Sequence, residues 1–397
     1  MTLFEELSWR GFVHQTTHDD LGAALAREPF TFYCGFDPTA DSLHIGSLLP
    51  LMGMAHLQRA GHHPLILVGG GTGLIGDPSF KAQERSLLTK EQVQLNALGI
   101  RRQLEHFLSF EGANAARMVN NADWLCELRL VDFLRDIGKH FSVNVMLSRE
   151  SVRQRLEDRD HGISYTEFTY SLLQAYDFLH LCEQYDCRLQ VGGSDQWGNI
   201  VAGMDLSRRM LNKETYALTF PLVTKSDGTK FGKTETGNVW LDPARTSPYK
   251  FYQFWINQAD ADVPRYLRYF TFLGRNEIED LEKQIAEAPH LRAAQTRLAE
   301  EITRLVHGQE ALDNAIKASK AMFGGDLADL DAATLLDVFS EVPSAQLSLS
   351  QCGDSTAADI MVACGFVPSK SEVKRHLQGG GLLWNGKDLT GSLSAYY

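Results

Sequence analysis

The amino-terminal part of the chain alternates between short hydrophobic segments and polar breaks. Residues 30–36 alternate in polarity and are rich in aromatics, which is typical of a strand, and residues 64–68 form a second apolar run that ends at three glycines. Between them, a Pro-containing turn followed by Ser42 as N-cap predicts a helix with His44 in its first turn. This order predicts a doubly wound, Rossmann-like parallel sheet of the α/β class, which binds ligands at the carboxyl ends of its strands.

The pattern then changes along the chain. Residues from about 124 to 190 have mostly helical periodicity and return to a buried strand at 187–193, so we expect a helical insertion within the sheet domain. Helical spacing of apolar residues resumes after residue 247 and ends before Gly324 and Gly325. The predicted domains are an α/β domain at 1–235, an α-helical domain at 236–323, a linker at 324–355 and a small α+β module at 356–397.

Composition narrows the class of protein. A chain of 397 residues with 44% hydrophobic content is long enough for two or three domains. No basic and apolar leader opens the sequence, and no run approaches the ~20 apolar residues of a membrane span, so we expect a cytoplasmic protein. The six cysteines lack C-x-x-C spacing, which argues against zinc and a disulfide framework. The net charge of −12 argues against coating of nucleic acid, but leaves room for a local basic surface.

Two short polar signatures lie far apart, His-Ile-Gly-Ser at 44–47 and Lys-Phe-Gly-Lys-Thr at 230–234. A helix start favours polyphosphate, and the imidazole of His44 can donate to oxygens that gain charge, while Gly46 lets a flat base lie on the backbone. The second signature follows a tight turn at Asp227-Gly228, and its lysines could clamp phosphates during the reaction. Each signature alone is as well explained by an ordinary helix start or a solvated turn; together and in this order they predict an ATP-cleaving site.

Two other glycine-rich segments resemble nucleotide motifs but fit poorly. Residues 71–76 match G-x-G-x-x-G, yet they follow the second strand, and no strand ending in an acid comes about 20 residues later. Residues 228–234 resemble a phosphate-binding loop, but only three residues separate the glycines where that loop requires four. We therefore expect neither a nicotinamide enzyme nor a P-loop NTPase.

Three further segments, together with the two signatures, agree with one known family over about the first 320 residues. They are residues 33–39 (YCGFDPT), 73–79 (GLIGDPS) and 192–199 (GGSDQWGN). With these segments the chain resembles the bacterial-type tyrosyl-tRNA synthetases, which are class I aminoacyl-tRNA synthetases. The related tryptophanyl enzymes share the ATP signatures but not this set of segments.

The resemblance implies a tyrosine site made by six side chains. Tyr33 and Asp177 would bind the phenol, Gln196 the carboxylate, and the remaining three the ammonium group; these are Asp77, Tyr170 and Gln174. Their spacing supports part of this, because positions 170, 174 and 177 lie along one face of a helix. Without the resemblance, a satisfied buried polar network would be the preferred explanation of that face, and Asp77 could equally be a helix N-cap.

The resemblance also implies an ATP site. Asp195 and Cys34 would meet the ribose, Asp37 and Thr39 would lie near the reacting phosphates, and Lys81 and Arg85 would face pyrophosphate. Ser47 departs from the family, which often has His at that position, and Ser can still donate a hydrogen bond. The ATP-binding residues implied are Cys34, Gly35, Asp37, Thr39, His44, Gly46, Ser47, Gly192, Asp195, Lys230 and Lys233.

The terminal module resembles the RNA-binding module that ends these enzymes. Its clustered bases, Lys370, Lys374 and Arg375, would contact tRNA phosphates. The family usually has further strands and a basic tail, whereas this sequence stops at Tyr397, so the module looks incomplete. The resemblance further implies a homodimer formed through the helical insertion around residues 131–145.

The activity implied is that of a tyrosine–tRNA ligase, which makes tyrosyl-adenylate and pyrophosphate from tyrosine and ATP and then charges tRNA(Tyr). The substrate carboxylate attacks the α-phosphorus, so the protein needs only positioning and charge stabilisation, with Mg²⁺ arriving with ATP and no tightly bound metal. One alternative is a synthetase-derived RNA-binding protein without catalysis. Another is a small-molecule adenylyltransferase of the same superfamily, but such enzymes are much shorter and lack the terminal RNA-binding module. The residues assigned to catalysis are His44, Lys81, Arg85, Lys230, Lys233 and Thr234.

Overall fold

The structure is a computed structural model in which two units are distinguished. The first unit comprises Met1–Thr246 and Asn257–Val306. The second unit comprises Ser247–Ile256 and His307–Tyr397. The structure describes residues 1–77, 88–149, 152–153, 156, 162–229, 231–234, 237–322, 332–339, 348, 356–379, 383–384 and 387–388.

The first unit is built on a six-stranded sheet, whose strand order is β1-β6-β5-β2-β3-β4. All neighbouring strands are parallel except β1, which pairs antiparallel with β6. The chain reverses its direction of winding between β2 and β5, which makes their carboxyl ends the expected place for a ligand. The strands are β1 (Gln15–Thr16), β2 (Thr31–Phe36), β3 (His63–Val68), β4 (Arg117–Asn120), β5 (Cys187–Gly193) and β6 (Tyr216–Phe220). The predicted doubly wound fold is therefore confirmed.

Helices surround this sheet and form most of the second unit. In chain order they are α1 (Leu3–Arg10), α2 (Leu21–Arg27), α3 (Leu48–Arg59), α4 (Lys90–Leu104), α5 (Ala122–Leu125), α6 (Leu130–Asp136), α7 (Val143–Leu147), α8 (Tyr165–Gln184), α9 (Trp197–Leu211), α10 (Pro248–Ile256), α11 (Val263–Phe270), α12 (Arg275–Glu287), α13 (Ala293–Met322), α14 (Ala332–Val338), α15 (Ala357–Ala363) and α16 (Lys370–Gln378). Short strand pairs join β7 (Lys233–Thr234) to β8 (Gly237–Asn238) and β9 (Leu383–Trp384) to β10 (Lys387–Asp388).

Packing against the sheet fixes the position of α3 and α8. In α3, Gly53 allows contact with β6, since a Cβ at this position would lie 2.3 Å from the ring of Phe220. On α8, Phe178 packs its ring against that of Tyr33 of β2, with 5.3 Å between centroids. Helix α8 begins at a capping box formed by Ser164 and Glu167, which satisfies its first free N–H groups. These contacts hold one polar face of α8 beside the carboxyl ends of the strands.

The helical insertion predicted between residues 124 and 190 contains helices α5 to α8, with turns between α5 and α7, and strand β5 begins at Cys187. The helices predicted after residue 247 are also present as α10 to α13, and Gly308, at φ 84° and ψ 173°, interrupts α13. Strands β1 and β4 were not predicted. Helix α14 lies inside the predicted linker. In the terminal module, Val373 is fully buried against Ala358 and Val367.

Candidate functional site

A cavity of about 550 Å³ opens at the carboxyl ends of β2 and β5, where the winding of the sheet reverses. It contains every predicted tyrosine-site residue and all of the predicted ATP-site residues whose side chains the structure describes. Those that line it are Tyr33, Cys34, Gly35, Asp37, Thr39, His44, Gly46, Ser47, Asp77, Tyr170, Gln174, Asp177, Gly192, Asp195 and Gln196. Residues separated by more than 160 positions in sequence therefore share one cavity.

The closed end of the cavity is formed by Tyr33 and Asp177. Both side chains are almost fully buried, at 0% and 1% exposure. The Tyr33 hydroxyl has no hydrogen-bond partner, and the same is true of the Oε1 atoms of Gln174 and Gln190. Tyr33 and Gln190 lie opposite each other on β2 and β5. Unpaired buried polar atoms are costly, so their grouping around one cavity indicates a polar ligand.

Two residues that the sequence did not single out hold Asp177. Asn121 donates from Nδ2 to Asp177 Oδ2 at 2.9 Å, and the Trp124 indole donates to Oδ1 at 2.7 Å. Asn121 is itself fully buried, and its Oδ1 accepts from the Gly71 N–H at 2.7 Å. The carboxylate orientation is thus fixed from the chain between β4 and α5. A signal was available, because two asparagines stand at the carboxyl end of β4: Asn120 ends the strand and Asn121 follows it.

Burial dominates the protonation of this end of the cavity. Burial raises the pKa of Asp177 to about 8, although the hydrogen bonds from Asn121 and Trp124 oppose the shift. Burial, with the nearby charge of Asp177, also holds the pKa of Tyr33 well above its usual range. In the absence of ligand, the pair is therefore neutral near pH 7, and ionisation of Asp177 would follow the arrival of a cation or a hydrogen-bond donor.

A chain of hydrogen bonds continues from Asp177 to Asp37. Asn121 donates to Thr72 Oγ1 at 2.9 Å, and Thr72 donates to Asp37 Oδ1 at 2.8 Å. The Tyr170 hydroxyl donates to Asp37 Oδ2 at 3.0 Å. Gly69 permits this approach, since a Cβ there would lie 2.0 Å from Asp37 Oδ1. These hydrogen bonds link Asp177, at the closed end of the cavity, to Asp37 and Tyr170.

A second polar cluster is centred on Gln196. Its Nε2 donates to Asp77 Oδ2 at 2.7 Å and to Asp195 Oδ2 at 3.1 Å. Burial raises the pKa of Asp195, and the charge of Asp77 adds to this shift. Several carboxyl groups thus share the cavity, which favours a ligand that brings positive charge. The N-cap alternative for Asp77 concerns the segment that begins at Pro78, which lies outside the described residues.

His44 lies at the mouth of the cavity, but not where the sequence placed it. Ser42 is not the N-cap: its hydroxyl donates to the Leu43 carbonyl and accepts from Gln103 Nε2 at 3.0 Å. His44 is the N-cap instead, followed by a 3₁₀ turn (Ile45–Ser47), and the α-helix begins only at Leu48. The predicted N-cap is therefore two residues too early, and His44 caps the first turn instead of lying within it.

The cap geometry determines the tautomer of His44. Its Nδ1 accepts from the Gly46 N–H at 3.0 Å, so a neutral imidazole carries its proton on Nε2. Gly46 is required for this approach, because a Cβ there would lie 2.7 Å from the imidazole ring. His44 can thus donate a hydrogen bond from Nε2 toward the cavity. Burial raises the pKa of the Cys34 thiol to about 12, so Cys34 can act as a neutral partner but not as a nucleophile.

The backbone between residues 238 and 241 joins the two signatures. Ile45 donates its N–H to the Val239 carbonyl at 3.0 Å, and Val239 donates to the Gly232 carbonyl at 3.2 Å. Asn238, which lines the cavity, pairs with Lys233 across β7 and β8. The backbone of the second signature therefore lies beside the first. Lys81, Arg85 and Lys230 lie outside the described residues, as do the side chains of Lys233 and Thr234.

The predicted tRNA-binding bases lie together on α16, in the second unit. Lys370 forms an ion pair with Asp359 and Arg375 with Glu372, while Lys374 is exposed. Across the described part of the chain, no group of three or more His, Cys, Asp or Glu side chains could hold a metal ion. Within that same part, no helix is long and apolar enough to span a membrane.

The chain was compared with known proteins. Residues 25–324 match the family model described as tRNA synthetases class I (W and Y). The tyrosine–tRNA ligase of Roseiflexus castenholzii is 57% identical over 97% of this chain and 91% of its own length, and that of Geobacillus stearothermophilus is 54% identical over 98% and 92%. A C-terminally truncated mitochondrial tyrosyl-tRNA synthetase of Aspergillus nidulans superimposes with a TM-score of 0.73 at 30% identity, over 81% of this chain and 94% of that one.

The family match covers most of the chain, and the two ligases are similar over nearly all of it. The resemblance drawn from the five sequence segments is confirmed, and nothing supports the alternative without catalysis. The chain belongs to the class I tRNA synthetases of the W and Y family and, within it, to the tyrosine–tRNA ligases.

Proposed function

We propose that the cavity at the carboxyl ends of β2 and β5 binds tyrosine and ATP, forms tyrosyl-adenylate, and then presents the tyrosyl group to tRNA(Tyr). The observation that carries this proposal is the buried Tyr33 hydroxyl, which lacks a partner beside Asp177 at the closed end of the cavity. A phenol entering there can donate one hydrogen bond and accept another. At the opposite end, His44 and the first signature line the cavity, and the backbone of the second signature lies beside the first.

Recognition of the phenol follows from this geometry. The substrate hydroxyl would donate to Asp177 and accept from the Tyr33 hydroxyl, which satisfies both groups. Asn121 and Trp124 hold the carboxyl group of Asp177 in one orientation, so they act as positioning residues. Phenylalanine would leave at least one buried polar group unpaired, at a cost of about 1–3 kcal/mol.

The rest of the amino acid would meet the two polar clusters. Its ammonium group would lie among Asp77, Tyr170 and Gln174, where the Gln174 Oε1 atom lacks a partner. Tyr170 and Gln196 now bond to Asp37 and Asp77, so substrate would share or replace these contacts. Gln196 would then meet the substrate carboxylate and aim it at ATP.

ATP would occupy the mouth of the cavity. Cys34, Gly35, Gly192 and Asp195 lie where the nucleoside would rest, and Asp37 and Thr39 lie toward the phosphates. The tyrosine carboxylate attacks the α-phosphorus and pyrophosphate leaves, with no covalent bond to the protein. His44 would donate from Nε2 to a phosphate oxygen that gains charge, while Lys81, Arg85, Lys230, Lys233 and Thr234 would stabilise the departing pyrophosphate. Mg²⁺ would arrive with ATP, its ligands mostly phosphate oxygens and water, and would neutralise phosphate charge.

ATP–pyrophosphate exchange with each of the amino acids tests this function. We expect exchange with tyrosine and little with phenylalanine or tryptophan. Charging of tRNA(Tyr) should follow in the same preparation. Tyrosine binding without exchange would contradict the proposed catalysis, and exchange with another amino acid would contradict the proposed specificity.

Tyrosine binding should release a proton from Asp177. The carboxyl group is protonated in the empty cavity at about pH 7, because its pKa is raised to about 8. The substrate ammonium and phenol favour the ionised form, so binding lowers this pKa and tyrosine affinity rises with pH between about 7 and 8. Calorimetry in buffers of different ionisation enthalpy measures the release. Asp177→Asn should abolish it, and proton uptake by the unchanged protein would contradict the assignment.

We further propose a homodimer through the helical insertion. Leu130 and Val131 of α6 are 72% and 73% exposed, and Val143 and Val145 of α7 are 57% and 59% exposed. Monomeric proteins rarely expose a contiguous apolar patch of this kind, and a self-complementary patch buries itself against a second copy. This patch coincides with the segment around residues 131–145 that the sequence suggested.

Val131→Asp should therefore shift the protein toward monomer. A carboxylate buried at an interface without a partner costs more than the valine contributes there. Sedimentation velocity measures the shift. The matched control is Leu291→Asp, which changes another exposed leucine, at 66% exposure, outside the insertion. Equal dissociation by both variants would contradict this location of the interface.

We also propose that the residues after 355 bind tRNA, whereas catalysis belongs to the residues before 236. We further propose that the protein acts in the cytosol. Lys374 of α16 is exposed, whereas Lys370 and Arg375 of the same helix form ion pairs with Asp359 and Glu372. Lys374→Glu should reduce tRNA charging at low tRNA concentration and make tRNA affinity less dependent on salt. ATP–pyrophosphate exchange with tyrosine should stay unchanged. Lys283→Glu on α12 reverses another exposed charge as a control. Unchanged charging by Lys374→Glu would contradict the assignment.

A further inference from the structure

The segment that leads into the second signature is tied to the start of α11. Asp262, which directly precedes α11, is 2% exposed. Its carboxylate accepts from the Ser226 N–H at 3.0 and 3.2 Å and from the Ser226 hydroxyl at 3.1 Å. A buried carboxylate so bonded fixes the backbone of Ser226 in one place.

Arg265 completes this anchor. Its Nη2 donates to Asp262 Oδ1 at 2.9 Å and also to the Thr224 carbonyl. The guanidinium therefore neutralises Asp262 and holds the residue two positions before Ser226. Breaking the pair would leave a buried charge without its partner, which is costly.

A second anchor lies beyond the turn. Phe231 is 8% exposed and stacks on Phe270 of α11, with 5.6 Å between centroids and 9° between planes. It also contacts the ring of Tyr266, at 5.1 Å. The same helix thus holds the chain on both sides of the turn at Asp227-Gly228.

We propose that Asp262 is a positioning residue for adenylate formation, acting through the second signature. The proposal rests on the proposed function of that signature. Asp262 is not among the residues that line the cavity, so we expect it to act without touching either substrate. Its contribution is to hold the backbone at Thr224 and Ser226 in place before the reaction. Each residue that became ordered only in the transition state would add an entropic cost to the activation barrier.

The test compares Asp262→Asn and Ser226→Ala with the control Asp280→Asn. Asp280 of α12 is an exposed carboxylate that pairs with Lys283 on the surface. Each test variant removes charged or bonded contacts at the anchor and should lower the single-turnover rate of adenylate formation about 10- to 100-fold. Tyrosine affinity should stay close to that of the unmodified chain. The melting temperature should fall only modestly, because the Arg265 side chain that Asp262→Asn leaves without its partner is 39% exposed. The double variant should lose less than the product of the single effects.

Three outcomes are decisive. Unchanged rates in both variants overturn the proposal, and parallel losses of rate, tyrosine affinity and melting temperature assign Asp262 a purely structural role, which also overturns it. No adenylation by the unmodified chain would contradict the proposed function itself. In that case, amide hydrogen exchange still decides whether the anchor exists: faster exchange at Ser226 in Asp262→Asn supports it, and unchanged exchange overturns it.

Discussion

His44→Ala is expected to slow adenylate formation about 100- to 1000-fold, which is typical for loss of a hydrogen-bond donor to developing charge. The imidazole carries its proton on Nε2, because Nδ1 accepts from the Gly46 N–H. In the proposed function, this donor would meet the phosphate oxygens that gain charge, at the far end of the cavity from Tyr33. Tyrosine affinity should stay unchanged, since His44 does not reach the phenol. Single-turnover adenylation and equilibrium tyrosine binding measure the two effects separately.

Two further variants sharpen this prediction. Asn in place of His44 can cap the turn with Oδ1 and donate from Nδ2, so His44→Asn should retain more activity than His44→Ala. His106→Ala removes an exposed imidazole elsewhere and should have no effect. Equal losses in His44→Asn and His44→Ala, accompanied by weaker tyrosine binding, would indicate that His44 only maintains the fold of the turn.

Tyr33→Phe is expected to narrow the discrimination between tyrosine and phenylalanine about 10- to 100-fold. The variant removes the buried hydroxyl that lacks a partner in the empty cavity, so phenylalanine no longer leaves it unpaired. The loss of discrimination should be larger than the loss of tyrosine activation. The ratio of kcat/KM for the two amino acids is the measurement.

The control for this variant is Tyr165→Phe, which removes a hydroxyl from a tyrosine that is 74% exposed on α8. It should leave discrimination unchanged. If Tyr33→Phe also leaves discrimination unchanged, Tyr33 does not read the phenol, and Asp177 alone would have to do so.

Strands with a strong local signal were predictable from sequence. The aromatic and apolar runs at 30–36, 64–68 and 187–193 correspond closely to β2, β3 and β5. Strand β1 was missed because it has only two residues, and β4 because its residues are half-buried or exposed at the edge of the sheet. Both strands depend on pairing with distant segments rather than on their own composition.

The site was predictable where its residues share one element. Positions 170, 174 and 177 lie on one face of α8, and all three line the cavity. Asn121 and Trp124 reach Asp177 from more than 50 residues away, so helical spacing could not reveal them. The error at Ser42 has the same origin, since Gln103 and the Asp242 N–H bond its hydroxyl from distant parts of the chain.

The central claim is that the phenol of tyrosine binds between Tyr33 and Asp177 while its carboxylate faces the mouth of the cavity near His44. A crystal structure with a nonhydrolysable analogue of tyrosyl-adenylate tests this most directly. The account predicts the phenol oxygen within about 3 Å of both the Tyr33 hydroxyl and an Asp177 carboxylate oxygen, with the adenosine beside Gly46 and Asp195. An analogue bound in the reverse direction, or outside the cavity with Tyr33 still unpaired, would contradict it.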